Sequence, residues 1–467
     1  MQIYGTFIGQ LIPAGWFFFL PPLFQAPGLV RHIPDSNQVH KACVSAAVAW
    51  QGMDVQDADM GCLRYLSMAH HALVFGASGI LGWSVVDQIL KNYPEKGTFT
   101  KVTALCNRPL REENAFWPVG GPGKPSLQIV DGIDLTSGTM AEVRETLKSR
   151  IPDIESVTHI YYFAYLFDPD FTAESKINLG MLQGGFVAAE SLAPKLQYVI
   201  LPTGTKGYGI HVPRRPFEAP FTEDMSDVPH PWHDELFYYV LHKELDSLQQ
   251  GKSWKFAEIR CGPVLGFVPH KNPYNLPGIY MNFLSVYKFL QEQGHPDAKS
   301  KEVPFPAPPP SYNTLFNDGG QDIFAKFSIY LCVNPEVAGN SELYNIGDAA
   351  KPVSMADRWP YICSLFDLVG VPPLEKSDPA FVLPVSFVGS HANAVAELNK
   401  AKGYELQEIG LDTGLEGWME HFTFDHHLSL DKAKTAGFEE ELSFQDSWRI
   451  VFDRYHRAHR CYYGNGK

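Results

Sequence analysis

The stretch His71-Ala-Leu-Val-Phe75, followed at once by Gly76-Ala-Ser-Gly-Ile-Leu-Gly82, decides the fold that we predict. Its first five residues are typical of a short buried strand. The apolar residues after the glycines recur at helical spacing: Val85, Val86, Ile89 and Leu90. A glycine turn between a strand and a helix lets the backbone approach a pyrophosphate, and the helix N-terminus offers amide donors to it. The candidate dinucleotide-binding residues of this turn are Gly76, Ser78, Gly79, Ile80 and Gly82.

Further strands and helices alternate along the chain. Apolar strands are predicted at 101–106, 127–130, 157–164, 196–201 and 255–260, and a helix at 178–192. This alternation indicates an α/β protein with a doubly wound parallel sheet of the Rossmann type. We expect an NADP-binding domain at 68–265 and a smaller substrate-binding lobe at 266–467 that is interleaved with it. The proline-dense segment 302–312 is predicted to be a loop.

The end of the second predicted strand bears on the choice of cofactor. NAD-binding folds usually place an acidic residue there, whereas this chain has Asn107-Arg108-Pro109. A guanidinium suits a 2′-phosphate, so NADPH (NADP+) is the expected cofactor, unless Arg108 is simply a solvated loop residue. Asp134 and Leu135 follow the third strand and are predicted to contact the adenine.

Tyr239 and Lys243 have the Y-x-x-x-K spacing, which places both on one helical face, one turn apart. In that arrangement the phenol can donate a proton, while the ammonium lowers the pKa of the phenol and anchors a cofactor ribose. The spacing is common by chance, and the alternative is that Tyr239 is a core aromatic residue and Lys243 an exposed helical lysine. Because the pair lies downstream of a dinucleotide-binding unit, it predicts a catalytic role for both residues.

Bulk properties narrow the classes of function. The formal charge of −14 argues against nucleic-acid binding. Seven scattered cysteines without a C-x-x-C pair indicate neither a disulfide framework nor a zinc site, so a reducing, cytoplasmic location is expected. No metal is expected either, because His421, His426 and His427 match no zinc spacing and are better explained as lid or pocket lining.

The first 67 residues are predicted to be a poorly structured extension without a catalytic role. Residues 3–30 are apolar, but four prolines would break a spanning helix: Pro13, Pro21, Pro22 and Pro27. A membrane-surface anchor is the less favoured alternative. The expected partner is a small-molecule substrate, and the chain is compatible with a homodimer.

Eight segments beyond the glycine turn together resemble one known family. In chain order they are Asn107–Pro109, Thr158–Tyr162, Leu201–Lys206, Phe237–Tyr239, Arg260–Pro269, Tyr344–Asp348, Trp359–Pro360 and Asp431–Phe438. As an ordered set over roughly residues 69–460, they resemble the progesterone 5β-reductase/iridoid synthase-like (PRISE) branch of the extended short-chain dehydrogenases/reductases.

The resemblance implies NADPH-dependent reduction of a C=C bond conjugated to a carbonyl, or of a carbonyl, in a small apolar substrate. It implies that Tyr239 and Lys206 form an oxyanion site for the enone. His242 and Lys243 stand where the plant members usually have an acidic pair, so Lys206 and Lys243 both remain candidates. The alternatives are an ordinary short-chain alcohol dehydrogenase or ketoreductase, a sugar-nucleotide epimerase/dehydratase and a non-catalytic NADP-sensing regulator. A place in secondary-metabolite biosynthesis would entail one dedicated substrate.

Overall fold

A central parallel sheet organises the residues that the computed structural model describes, which are 70–464 except 226, 270–271, 273–274 and 407–419. The prediction for residues 1–67 lies outside this range. The sheet has seven strands in the order β10-β6-β5-β4-β1-β2-β3. Its strands are β1 (His70–Phe75), β2 (Phe99–Leu105), β3 (Ser126–Val130), β4 (His159–Tyr162), β5 (Tyr198–Gly204), β6 (Lys255–Cys261) and β10 (Glu342–Ile346).

Every neighbouring pair in this sheet is parallel, and the order reverses between β1 and β4. In open sheets of this type, ligands bind outside the carboxyl ends of the strands at such a reversal. Two small parallel pairs complete the strands: β7 (Val264–Leu265) with β9 (Gly319–Gly320), and β8 (Glu302–Pro304) with β11 (Val369–Val371).

Both faces of the sheet are covered, as the apolar strands predict. Ala72 and Val74 of β1 pack into one hydrophobic core, while Leu73 and Phe75 pack into another. Successive side chains of a strand point to opposite faces, so a continuous apolar run requires a layer of helices on each side. The predicted doubly wound α/β fold is therefore confirmed.

Helices of widely different length form these layers and the C-terminal part of the chain. They are α1 (Ile80–Leu90), α2 (Glu112–Ala115), α3 (Met140–Arg150), α4 (Phe171–Met181), α5 (Val187–Glu190), α6 (Trp232–Glu235), α7 (Phe237–Gln249), α8 (Leu276–Glu292), α9 (Pro309–Tyr312), α10 (Gln321–Val333), α11 (Pro335–Ala338), α12 (Met355–Ser364), α13 (Pro384–Ser390), α14 (Ala392–Lys402), α15 (Asp431–Thr435) and α16 (Phe444–Arg457). A π-helical turn, Leu182–Phe186, joins α4 to α5.

The structure differs from the sequence-based expectation in the proline-dense segment. Residues 302–312 are not entirely loop, because they contain strand β8 and the single turn α9. Pro309 and Pro310 occupy the first turn of α9, where backbone N–H groups have no helical partner and proline is tolerated. Beyond the predicted boundary at residue 265 the chain returns to the central sheet. Residues 70–467 cluster as one compact unit, and the sheet takes β10 from the C-terminal segment.

Candidate active site

A cleft of about 720 Å³ opens at the carboxyl ends of the central strands. It is lined by residues that follow β1, β4, β5 and β6 and by segments of the C-terminal half of the chain. Most lining side chains are apolar or aromatic, which is typical of sites for small organic molecules. Of the predicted site residues, the lining includes Gly79, Ile80, Gly82 and Lys206.

The glycine turn between β1 and α1 is packed so tightly that side chains would not fit. Gly76 has a φ of +67°, and a Cβ there would lie 2.4 Å from the carbonyl oxygen of Phe163. A Cβ on Gly82 would lie 2.4 Å from the carbonyl oxygen of Gly76. Helix α1 begins directly after Gly79, so its first N–H groups face this bare stretch of backbone. The turn therefore fits a dinucleotide pyrophosphate.

Replacing Gly76 by alanine is expected to destabilise the protein and to weaken cofactor binding, because both the positive φ and the contact with Phe163 oppose a side chain. Gly97→Ala is the matched control, since Gly97 has a φ of +94° and a Cβ added there would have nothing within 4 Å. Thermal unfolding with and without NADP+ measures both effects. Equal melting temperatures and equal NADP+ shifts in the two variants would contradict this account of the turn.

The loops after β2 and β3 lie side by side, because the N–H of Gly132 donates to the carbonyl of Asn107 over 3.1 Å. Asn107 and Arg108 are exposed there, as a cofactor-binding loop requires. The Asp134 carboxylate accepts hydrogen bonds from the N–H and hydroxyl of Thr136 at 2.9 and 2.7 Å, and these lower its pKa. This carboxylate therefore stabilises its own turn.

Leu135 and Ser78 contact different parts of the structure. Leu135 packs against Gly185 in the π-helical turn, where a Cβ would come within 2.8 Å of the leucine side chain. Ser78 lies beside the thiol of Cys106. Burial raises the pKa of that thiol to about 12, and the hydrogen bond with Ser78 opposes the rise.

The two neighbouring tyrosines at the start of α7 have different surroundings. Tyr238 lines the cleft, and a Cβ on Gly204 would be 3.2 Å from its hydroxyl oxygen. Among the described residues that hydroxyl has no hydrogen-bond partner. The hydroxyl of Tyr239 instead donates to the carbonyl of Gly207 over 2.7 Å and accepts from the N–H of Val228 over 3.2 Å. The structure therefore directs Tyr238 into the cleft, rather than the predicted Tyr239.

The two candidate lysines also differ in position. Lys206 lines the cleft in a 3₁₀ turn directly after β5, with its Nζ 5.0 Å from the centre of the Phe171 ring. Burial lowers the pKa of Lys206, and the negative charge of Glu174 opposes that shift. Lys243 lies on an exposed part of α7 and does not line the cleft. The structure thus brings Lys206, and not Lys243, to the same cleft as Tyr238.

A buried carboxyl group stands behind Lys206. Glu174 of α4 is fully buried and accepts a hydrogen bond from the hydroxyl of Tyr165, which lines the cleft. Burial raises the pKa of Glu174, whereas Tyr165 and Lys206 favour its ionised form. Glu174 is not predictable from the sequence, because nothing in its local pattern distinguishes it from a surface helical glutamate.

His242 lies one helical turn after Tyr238, at the position where a Y-x-x-x-K pair would have its lysine. Its Nδ1 is 2.7 Å from Glu258, which also accepts from Thr203 and Arg260 over 2.6 and 2.9 Å. Burial opposes ionisation of Glu258, but Arg260, His242 and Thr203 lower its pKa to about 2. His242 therefore belongs to a buried ion-pair network, and the lysine that shares the cleft with Tyr238 is Lys206, which follows β5.

The chain is similar to a known family and to known proteins over most of its length. Residues 72–461 match the family described as the PRISE-like Rossmann-fold domain. The short chain dehydrogenase ausT of Aspergillus calidoustus is 29% identical over 398 residues, which cover 83% of this chain and 93% of the relative. The 3-oxo-Delta(4,5)-steroid 5-beta-reductase of Arabidopsis thaliana is 26% identical over 400 residues, covering 82% and 91%.

Solved structures share the fold at low identity. A UDP-N-acetylglucosamine 4-epimerase from Methanobrevibacter ruminantium superposes with a TM-score of 0.51 at 14% identity, covering 84% of this chain and 99% of that one. A Thermus thermophilus UDP-glucose 4-epimerase, solved with NAD, gives 0.50 at 14% identity, covering 83% and 99%. At this identity the likeness concerns the fold alone. Among the described residues, no helix is both long enough and apolar enough to cross a membrane.

Proposed function

The chain belongs to the PRISE-like Rossmann-fold family and is an oxidoreductase of the short-chain dehydrogenase type, and on this premise we propose that it reduces an enone, or a carbonyl, in a small apolar substrate with NADPH. The observation that carries the proposal is the Tyr238 hydroxyl, which has no partner among the described residues and lies in the same apolar cleft as Lys206. This cleft begins at the glycine turn that fits a dinucleotide.

The residues around the cleft suit the stabilisation of negative charge on a carbonyl oxygen. When bound, NADPH supplies the hydride for the reduction. Tyr238 donates a hydrogen bond to the substrate oxygen, where charge develops as the β-carbon of an enone is reduced. Lys206 stabilises the same charge with its ammonium group, in a site where apolar walls exclude water and strengthen the attraction. The resulting enolate takes up a proton to give the saturated ketone.

The geometry favours this chemistry over that of an ordinary Y-x-x-x-K dehydrogenase. One turn after Tyr238 stands His242, which is held by Glu258 within the buried network. Burial alone would lower the pKa of His242, but its hydrogen bond and charge interaction with Glu258 raise it. The position one turn after Tyr238 therefore holds no lysine, and Lys243 on the same helix is exposed outside the cleft, so the proposal assigns the cationic role to Lys206.

A screen of enones and ketones, read as NADPH consumption and product analysis, tests the proposal. We expect 2-cyclohexen-1-one or a larger cyclic enone to be converted to the saturated ketone. Formation of allylic alcohol instead would identify carbonyl reduction, which is the alternative within the same class. The proposal would be refuted if the intact, NADP+-binding protein consumed no NADPH with any of the enones and ketones.

The preference for NADPH is part of this proposal and depends on Arg108. Arg108→Ala is expected to raise KM for NADPH by about tenfold and to leave KM for NADH nearly unchanged, because a charge-assisted hydrogen bond to the 2′-phosphate is lost. Arg111→Ala is the control, since Arg111 is an exposed arginine three residues further along the same segment. Initial rates at varied NADPH and at varied NADH give the ratio of the two KM values. An unchanged NADPH-to-NADH ratio in Arg108→Ala would contradict the role of this arginine.

A further inference from the structure

The C-terminal half of the chain contributes one side of the cleft. Five of its residues there, which we call the lobe wall, are Ser311, Thr314, Phe316, Phe422 and His426. Three of them are polar, and the side chain of each donates a hydrogen bond to a backbone carbonyl. Ser311 Oγ donates to the carbonyl of Pro308 over 2.8 Å, and Thr314 Oγ1 donates to that of Ser311 over 3.1 Å.

The His426 ring has a defined orientation and tautomer. It is stacked on Phe422, with ring centres 4.4 Å apart, and on Phe316, with centres 5.1 Å apart. Its Nδ1 lies 2.9 Å from the carbonyl oxygen of Phe424. A carbonyl oxygen can only accept, so Nδ1 carries the proton and Nε2 presents a lone pair.

Nε2 of His426 is left without a hydrogen-bond partner in the part of the chain that the structure describes. The residue is 2% exposed, and burial lowers its pKa to about 4, so the ring is neutral near pH 7. A buried acceptor without a donor is unfavourable, which leaves this position in need of an N–H or O–H group.

The two walls of the cleft therefore differ in hydrogen-bonding character. Tyr238 and Lys206, next to the ends of the strands, are donors suited to a carbonyl oxygen. The polar groups of the lobe wall already donate their hydrogens to backbone carbonyls, so they can only accept further hydrogen bonds. Tyr280 and Asn272 also line the cleft, but their groups can both donate and accept, so they favour neither kind of ligand.

We propose that the substrate carries a hydroxyl or N–H group on the part that lies against the lobe wall, and that the lone pair of His426 Nε2 selects this donor. The inference rests on the reductase function proposed above and specifies its substrate class. The substrate is an apolar enone or ketone that accepts a hydrogen bond at its reacting carbonyl and donates one at the lobe wall.

A ligand series with the full-length protein tests this. Each of three enone scaffolds, namely a cyclohexenone, a bicyclic octalone and a steroid, carries a hydroxyl, a ketone or only hydrogen at the end distant from the enone. For the steroid these are testosterone, androstenedione and the deoxy compound. Calorimetric titration into NADP+-loaded protein gives each Kd without requiring turnover.

Two variants assign the effect to His426. His426→Phe keeps a ring between Phe316 and Phe422 and removes the acceptor, while His426→Gln keeps an acceptor oxygen. In the wild type, the hydroxyl compound of at least one scaffold is expected to bind about tenfold more tightly than its ketone. His426→Phe should reduce that ratio to about twofold or less, and His426→Gln should retain part of it.

The outcomes separate this inference from the proposed function. If no scaffold shows a preference for the hydroxyl compound, whether through equal binding or no binding, the donor requirement is refuted. A preference for the hydroxyl compound that survives in His426→Phe would refute the role of His426. If that variant does not fold, the ligand series with the wild type still decides whether a donor is required. NADPH consumption is measured separately. Turnover without a donor preference would refute only the inference, and a donor preference without turnover of any scaffold would refute only the reductase function.

Discussion

Tyr238→Phe should lower kcat/KM for an enone by about 100-fold or more, because it removes the hydrogen bond to the oxygen on which charge develops. The phenyl ring keeps the packing of Tyr238 at the start of α7. Binding of NADP+ should therefore change little. Steady-state rates over a range of enone concentrations, with NADP+ titration as the measure of intact folding, give both quantities.

Tyr239→Phe is the matched control for that variant. Its hydroxyl bonds to Gly207 and Val228 and not to the cleft, so we expect a loss of activity of about threefold or less together with a lower melting temperature. The reverse order, with Tyr239→Phe the more damaging to kcat/KM at unchanged stability, would restore the sequence-based assignment of Tyr239.

Lys206→Met should likewise lower kcat/KM by about 100-fold or more, since the ammonium group stabilises the same developing charge in a water-poor cleft. Lys243→Met is the control and should change kcat/KM by about twofold or less, because Lys243 is exposed outside the cleft. Rates measured with saturating NADPH separate the two lysines. Equal losses in both variants would show that Lys243 also assists the reaction.

The pH profile provides a second test of Lys206. Burial lowers its pKa, so the cation should be lost, and activity should fall, at a pH below the ordinary range of lysine. Glu174→Gln removes a charge that favours the cation and should move this alkaline limb to still lower pH. A limb that stays in place would indicate that Glu174 does not act on Lys206.

The fold could be predicted from the sequence because its signals are local. The glycine turn at Gly76–Gly82 lies between an apolar strand and an amphipathic helix, and each part is recognisable within a few residues. Strand β10 was not predicted, since it reaches the sheet from about 80 residues beyond β6 and only tertiary contacts place it there. Strands as short as β7 and β9, with two residues each, carry no periodicity at all.

The site was harder to predict for a geometric reason. Adjacent helical residues point about 100° apart, so a shift of one position decides whether Tyr238 or Tyr239 enters the cleft. Spacing alone fixes which residues share a face, and it does not say which face meets the ligand. Tyr238 and Lys206 line one cleft but come from α7 and from the turn after β5, which no local pattern within α7 reveals. The resemblance to the PRISE branch implies Lys206, which lines the cleft, and Tyr239, whose neighbour Tyr238 lines it instead.

The π-helical turn at Leu182–Phe186 sets the rotational phase between the two ends of one helical segment. Before the turn, α4 presents Glu174 to Tyr165 beside the reacting end of the cleft. Within the turn, Gly185 packs against Leu135, the residue that the sequence predicts to contact the adenine. A wide turn contains one residue more than an α-helical turn, so its removal would rotate one end by about 100° relative to the other. This one segment therefore fixes the orientation of Glu174 relative to that of Gly185.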